Sequence, residues 1–306
     1  MHMLRWWRWF RISSLANSAA SMPYHTLTRS LESAAYAPLK AREVFSNAVG
    51  HVLNGLVDMD RHHRAGRLAG DKQLSESVMA EVVANELRLD MNPFMQCMLR
   101  ARTLAGALRV HQGINQILAV KTEVGFGSDG VLAILSRTQL PSTEDPVACR
   151  DAHLIGMDII LTSIKAADVS ARSPATSIQV SPLRPPDRLS ALAGMLGLGR
   201  GVAGETAFAF ESEPELRVDA LARHLGCHHR TLQRELKDFG ITAETIKRAS
   251  MLSRATTLLP SALTLTEIAH EAGYSDHAHM TRAFVASCSL APSLLRQAFA
   301  PPASLH

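Results

Sequence analysis

The chain has 306 residues, 46% hydrophobic and 20% charged, enough for about two domains of ~100–200 residues and too apolar for wholesale disorder. No run approaches the ~18–20 uninterrupted apolar residues of a membrane-spanning helix, and four scattered cysteines (Cys97, Cys149, Cys227, Cys288) form no CxxC pair, which argues against a disulfide scaffold or a cysteine-rich zinc module and for an intracellular chain. The net charge of +4 is uneven: residues 1–45 carry six Lys/Arg against two Asp/Glu and residues 216–306 ten against seven, leaving the middle slightly acidic, as when a nucleic-acid-binding module is joined to something that is not one.

Residues 1–22, MHMLRWWRWFRISSLANSAASM, hold all three tryptophans and no acid. Arg5, Arg8 and Arg11 interrupt the apolar core of ~7–15 residues that a secretory signal needs. Residues 1–43 are therefore expected to be a disordered basic extension, with Met22 as an alternative start; a membrane-surface amphipathic segment is the competing reading. Three-and-four spacing in VFSNAVGHVLNGLVDM and SVMAEVVANELRL predicts helices across 44–109. Between them, Arg61-His62-His63-Arg64 is expected to be a solvated loop, since a metal site needs ligands on one face and a third group.

TLAGALRVHQGINQIL (103–118) predicts another amphipathic helix. KTEVGF and GVLAILSRTQ, joined by Gly127-Ser128-Asp129-Gly130, predict a hairpin. An apolar helix follows near 151–166, then a strand in SIQVSPL ended by Pro185-Pro186. The Gly-rich stretch GMLGLGRGVAG (194–204) lacks the Gly-Lys-Ser/Thr ending of a phosphate loop and is expected to be a turn. TAFAF (206–210) alternates as a last short strand. The middle of the chain is thus predicted α+β, with no catalytic constellation.

The last ninety residues are more specific. Ser212-Glu213-Pro214-Glu215 has the spacing of a capping box and predicts a helix start and a boundary. In VDALARHLGCHHRTLQRELKDFG, Ala222 is small where a second helix crosses, Gly226 allows a left-handed turn, and Leu232 anchors the second helix. This is helix-turn-helix spacing. The pattern recurs in TLTEIAHEAGYSDHAHMTRAF after a second capping box, Thr264-Leu265-Thr266-Glu267, with Ala269, Gly273 and Met280 in the same order. Cys227-His228-His229 is explained by this packing without a metal. AETIKRASMLSRATTLL between the units reads as one helix ending at Pro260. Sixteen or so residues span ~24 Å, so with its flanks this helix can hold two reading heads ~34 Å apart, one DNA turn.

From 216 to 299 the sequence resembles the AraC/XylS family of bacterial transcription regulators, through LARHLGCHHRTLQREL, IAHEAGYSDHAHMTRAF and Ala291-Pro292-Ser293 with Arg296. It departs at Met251, Ser289 and Cys227-His228, which stand where the family favours Arg, Gly and Ser-Pro. The resemblance implies a mostly α protein: an α+β, arabinose-binding-like effector-binding or dimerisation domain (44–211) before an all-α double helix-turn-helix DNA-binding domain (212–306). It implies base contacts from Arg230, Gln233 and Arg234 in the first unit, and from His277, Ala278, His279, Thr281 and Arg282 in the second. Arg suits guanine O6/N7 and Gln suits adenine N6/N7 in the major groove.

Double-stranded DNA, a small-molecule effector, RNA polymerase and a second copy of the chain are the implied partners, with no membrane, cofactor or metal. The expectation is a cytoplasmic regulator, written as an activator, rather than an enzyme. Two alternatives stand beside it: a nonspecific architectural DNA binder, and an alkyl-transfer enzyme on this module using Cys97 or Cys149.

Overall fold

Helix dominates because apolar residues recur at three-and-four spacing and many of the starts are capped. The computed structural model describes residues 21–22, 25–115, 120–126, 132–139, 146–167 and 183–300. Among the described residues, seven helices make the N-terminal part: α1 (His25–Ala35), α2 (Ala41–Leu53), α3 (Met59–Gly70), α4 (Glu76–Arg88), α5 (Pro93–Leu99), α6 (Leu104–Asn115) and α7 (Val147–Ala167). Two short antiparallel pairs accompany them, β1 (Ser21–Met22) with β2 (Val57–Asp58) and β3 (Val120–Phe126) with β4 (Leu132–Gln139). The C-terminal part runs through α8 (Leu189–Met195), α9 (Val202–Ser212), α10 (Leu221–His224), α11 (His229–Asp238), α12 (Ala243–Leu258), α13 (Leu265–Glu271), α14 (His277–Cys288) and α15 (Pro292–Leu295), closing in a 3-10 turn, Arg296–Phe299. No helix among the described residues is long and apolar enough to cross a membrane.

The α2, α4 and α6 helices and the β3–β4 hairpin fall where periodicity places them, and α7 extends beyond both ends of the predicted 151–166 helix. The expected hairpin turn at 127–130, most of the SIQVSPL strand and residues 1–20 lie outside the described residues. Four expectations change. First, the 44–211 stretch is mostly helical rather than α+β, with β3–β4 its one long described pairing. Second, residues 25–35, expected within a disordered extension, form α1, which buries Leu27 and Leu31 against α3, α4 and α7.

Third, Arg61-His62-His63-Arg64 is no loop. Asp58 accepts from the Asp60 and Arg61 N–H groups at 2.8 and 3.2 Å, starting α3 three residues before it. The helical period then turns His62 and His63 inward with Gly66 and Ala69, and Arg61, Arg64 and Arg67 outward. Fourth, TAFAF is the middle of α9. Its five-residue alternation is overridden by the longer run that buries Ala203, Ala207 and Phe210 at helical spacing, with alanine the best helix former. Ser212 therefore ends a helix instead of starting one. Glu213, restricted by the proline after it, leaves helical geometry as the C-cap. The Thr264 box does work: the Thr264 hydroxyl accepts from Glu267 N–H at 3.2 Å and the Glu267 carboxylate from Thr264 N–H at 2.7 Å.

The spine of the C-terminal part is α12, started by Thr242. It buries Ile246, Ala249, Leu252 and Ala255 against α9 on one side and α2 on another, and α5, α13 and α14 also pack on it. The N-terminal helices thus touch both halves of the C-terminal part. Near its start, α2 sets Phe45 edge-on to Phe239, with ring centroids 6.5 Å apart. At its end, the Val52 carbonyl accepts from the Ser287 hydroxyl at 2.6 Å, while Gly55 N–H donates to the Ser287 carbonyl at 2.8 Å. Asn92, buried, donates through Nδ2 to the His51 carbonyl at 3.0 Å and to Ser287 Oγ at 3.3 Å. Gly106 lets α6 press on the closing turn: a Cβ there would lie 2.5 Å from the Ala298 carbonyl oxygen.

Candidate nucleic-acid interface

The two predicted units share a left-handed glycine and a backbone hydrogen bond at the turn. In the first, Gly226 takes φ +64° after α10, and Cys227 N–H donates back to the Ala222 carbonyl at 2.9 Å. In the second, Gly273 takes φ +86° after α13, and Tyr274 N–H donates back to the Ala269 carbonyl at 2.8 Å. These left-handed residues close each helix end and favour glycine because any Cβ there is strained. Ala222 and Ala269 are buried under the crossing helices, and Leu232 and Met280 are the buried anchors of α11 and α14.

The caps differ. The Asp276 carboxylate accepts from His279 N–H at 2.7 Å and starts α14; this backbone bond, then the Ser275 hydroxyl, holds its pKa below the usual carboxylate value. Its counterpart His228 gives α11 no side-chain hydrogen bond, matching the departure at Cys227-His228. Ser289, where the related family favours glycine, ends α14 in the left-handed region at φ 60°.

Arg230, Gln233 and Arg234 are all exposed on α11, with Lys237 continuing the same three-and-four stripe. On α14, His277, Ala278, His279 and Arg282 are exposed and Thr281 is half-buried. The structure therefore brings three and five of the named residues onto two separate helices, α11, which packs on α9 and α10, and α14, which packs on α13, α2 and α12. His277 Nε2 and Thr281 Oγ1 lie 3.3 Å apart. His279 is engaged sideways: its Nδ1 is 3.2 Å from Ser275 Oγ and its ring meets Tyr274 edge-on at 5.1 Å. That places it as a wall of the cleft between the units. Val285, 41% exposed one turn after Thr281, was not singled out by sequence.

That cleft, of about 890 Å³, is bordered by α12, α14, the 217–219 segment and His229, with Leu53 of α2 at its rim. Sequence reading treated α12 as a spacer and passed over Glu244 and Arg248, both exposed. Their helical spacing from buried Ile246 and Leu252 was the available signal. Among the described residues no group of three or more His, Cys, Asp or Glu is arranged to hold a metal ion. Cys97 and Cys149 are fully buried, and burial pushes the Cys97 thiol well above its usual value, the opposite of what a nucleophile needs.

A family model described as a helix-turn-helix domain matches residues 221–298. Those residues form a helix-turn-helix domain of the AraC type. The match covers both turns and all eight named residues of this domain, and stops short of the 44–211 stretch. No curated protein matches the chain. Among solved structures, the transcriptional regulator CdpR from Pseudomonas aeruginosa is similar at 16% identity over 79% of this chain and 98% of that one, with a TM-score of 0.29. A likeness at that level carries no argument about fold or function.

Proposed function

We propose that the protein is a sequence-specific DNA-binding transcription regulator that reads two successive major-groove segments, one with α11 and one with α14. The observation that carries this reading is the duplicated turn geometry with an exposed, Arg-bearing second helix in each copy, α14 packed on α12 directly and α11 through α9. Arg230, Gln233 and Arg234 supply the donor forks of the first head; Ala278, Thr281 and Arg282 supply a methyl, a hydroxyl and a fork for the second. Control by a small molecule bound to the N-terminal helices, contact with RNA polymerase, activation and pairing with a second copy complete the proposal. The open groove of about 560 Å³ between α3, α4 and α7, lined by Leu74, Met79, Leu154 and Ile155, has room for such an effector.

Selection of preferred duplexes from a random pool, followed by footprinting, tests the core of the reading. Two protected major-groove segments about one turn apart on one face are expected. One protected segment removes the second head, and affinity that is equal for selected and random duplexes leaves only the architectural alternative.

A further inference from the structure

The basic cleft between the two units has an occupant on the proposed reading, and an arginine that stands apart from both reading helices is free to hold it. Of the cations bordering it, Arg217 is committed to Asp219 through bonds of 3.1 and 2.9 Å, Lys247 Nζ donates to the Leu216 carbonyl at 2.8 Å, and Arg282 lies on α14 and is assigned above to the second head. Arg248 differs. It is exposed on α12 and, among the described residues, has neither a hydrogen bond nor an ion pair, even with Glu244 one helical turn earlier. A guanidinium left unpaired in a concave surface keeps its five donors for a group brought from outside.

The position of the cleft says what that group is, given that α11 and α14 read DNA as proposed above. Two major-groove segments one turn apart on one face have a minor groove midway between them, bordered on both sides by phosphate strands. In the protein, Arg248 stands on α12, the helix that joins the two units, in a cleft that also takes in His229 of α11 and His279 and Arg282 of α14. A volume of about 890 Å³ is far larger than a lone phosphate or sulfate requires, and its lining runs from His229 of α11 to Arg282 of α14. We infer that this cleft receives the sugar-phosphate backbone bordering the intervening minor groove, and that Arg248 grips a phosphate there. Glu244, on the same face four residues earlier, then opposes the same phosphate strand and sets a limit on how tightly any duplex is held. Neither residue touches a base, so both act on all sequences alike.

The test uses the full chain and a selected duplex, with salt titrations of affinity. In a matched duplex, the linkages between the two footprinted segments are replaced by uncharged methylphosphonates. Wild-type protein should lose affinity several-fold on that neutralised duplex. Arg248→Ala should bind the native and neutralised duplexes equally, with a salt slope shallower by about 0.9 and unchanged base preference at both segments. Arg248→Lys should restore the slope, and Glu244→Gln should tighten selected and random duplexes by the same factor. Arg248→Ala that matches wild type on the native duplex overturns the inference, as does wild-type affinity indifferent to neutralisation. Wild-type protein that prefers no sequence at all overturns the DNA-reading proposal itself, a separate and recognisable result.

Discussion

Asn92→Ala tests how firmly the N-terminal helices hold α14. Asn92 is 4% exposed and works at both ends of its amide. Its oxygen caps α5 by accepting from Phe94 N–H at 3.0 Å; its nitrogen donates to the His51 carbonyl and to Ser287 Oγ. Losing the cap costs about 1 kcal/mol. Leaving the His51 carbonyl without its buried donor costs about 1–3 kcal/mol more. Ser287 adds nothing further, because its hydroxyl still donates to the Val52 carbonyl and its own carbonyl still accepts from Gly55.

The expected loss for Asn92→Ala is therefore about 2–4 kcal/mol, read from urea unfolding of the full chain by far-ultraviolet circular dichroism. Asn92→Asp keeps a capping oxygen but sets a second carboxylate beside buried Asp90 and points it at two acceptors, so it should cost at least as much. Amide hydrogen exchange at residues 285–289 should rise in both variants. A loss under about 1 kcal/mol, with unchanged exchange at 285–289, refutes the reasoning.

Three further outcomes are expected. Burial, then Arg61 and Arg29, lowers the His25 pKa to about 3; burial, then His25 and the same two arginines, lowers His51; burial alone lowers His111 to about 4. The unfolded chain takes protons below pH ~6.5 that these sites refuse, so stability is full above that pH and is lost as pH falls, by about 1.4 kcal/mol per unit for His25 and again for His111. Burial raises Asp90 to about 6 against the Thr26 and Asn92 hydrogen bonds, so it acts the other way, adding stability as pH falls from ~6 to ~4; the histidines outnumber it, and urea midpoints that stay flat from pH 7 to 5 contradict this balance. Ser289→Gly relieves a left-handed serine and should raise stability by about 0.5–1 kcal/mol after the extra chain entropy of glycine is subtracted; an unchanged melting temperature argues against strain at φ 60°. Arg234→Ala should lower affinity for the selected duplex about 5- to 150-fold, relax preference at one base pair and spare random duplex, whereas Lys237→Ala should weaken both duplexes and flatten the salt dependence; equal losses from Arg234→Ala on both would make it a backbone contact.

The helix-turn-helix units were legible because every residue that defines them lies within a dozen positions of the next. A small residue, a left-handed glycine and an apolar anchor are local requirements, and local requirements survive in sequence. The seam at Asn92 and Ser287 joins residues 195 positions apart, and neither residue type announces such a partner. His62-His63 misleads for a related reason: two histidines between arginines look solvated until the helix begun by Asp58 fixes which way each one turns. TAFAF shows the limit of short windows, since five residues fit two periods and only the eleven of α9 separate them. Arg248 was visible as a residue but not as part of a site, because the cleft exists only once both units are in place.

The helix α2 reaches both units, through Phe45 to Phe239 and through Val52 to Ser287. For a reader of DNA this is a ruler. One base pair inserted between two sites shifts them by about 3.4 Å along the axis and about a tenth of a turn around it. Heads joined by α12 alone could swing to follow; heads also tied through α2 cannot, and the strain passes into the DNA, where bending cost depends on sequence at positions no side chain touches. If α11 and α14 read DNA as proposed, phase between the two sites becomes a selected property of the operator in its own right, enforced by helices of the N-terminal part.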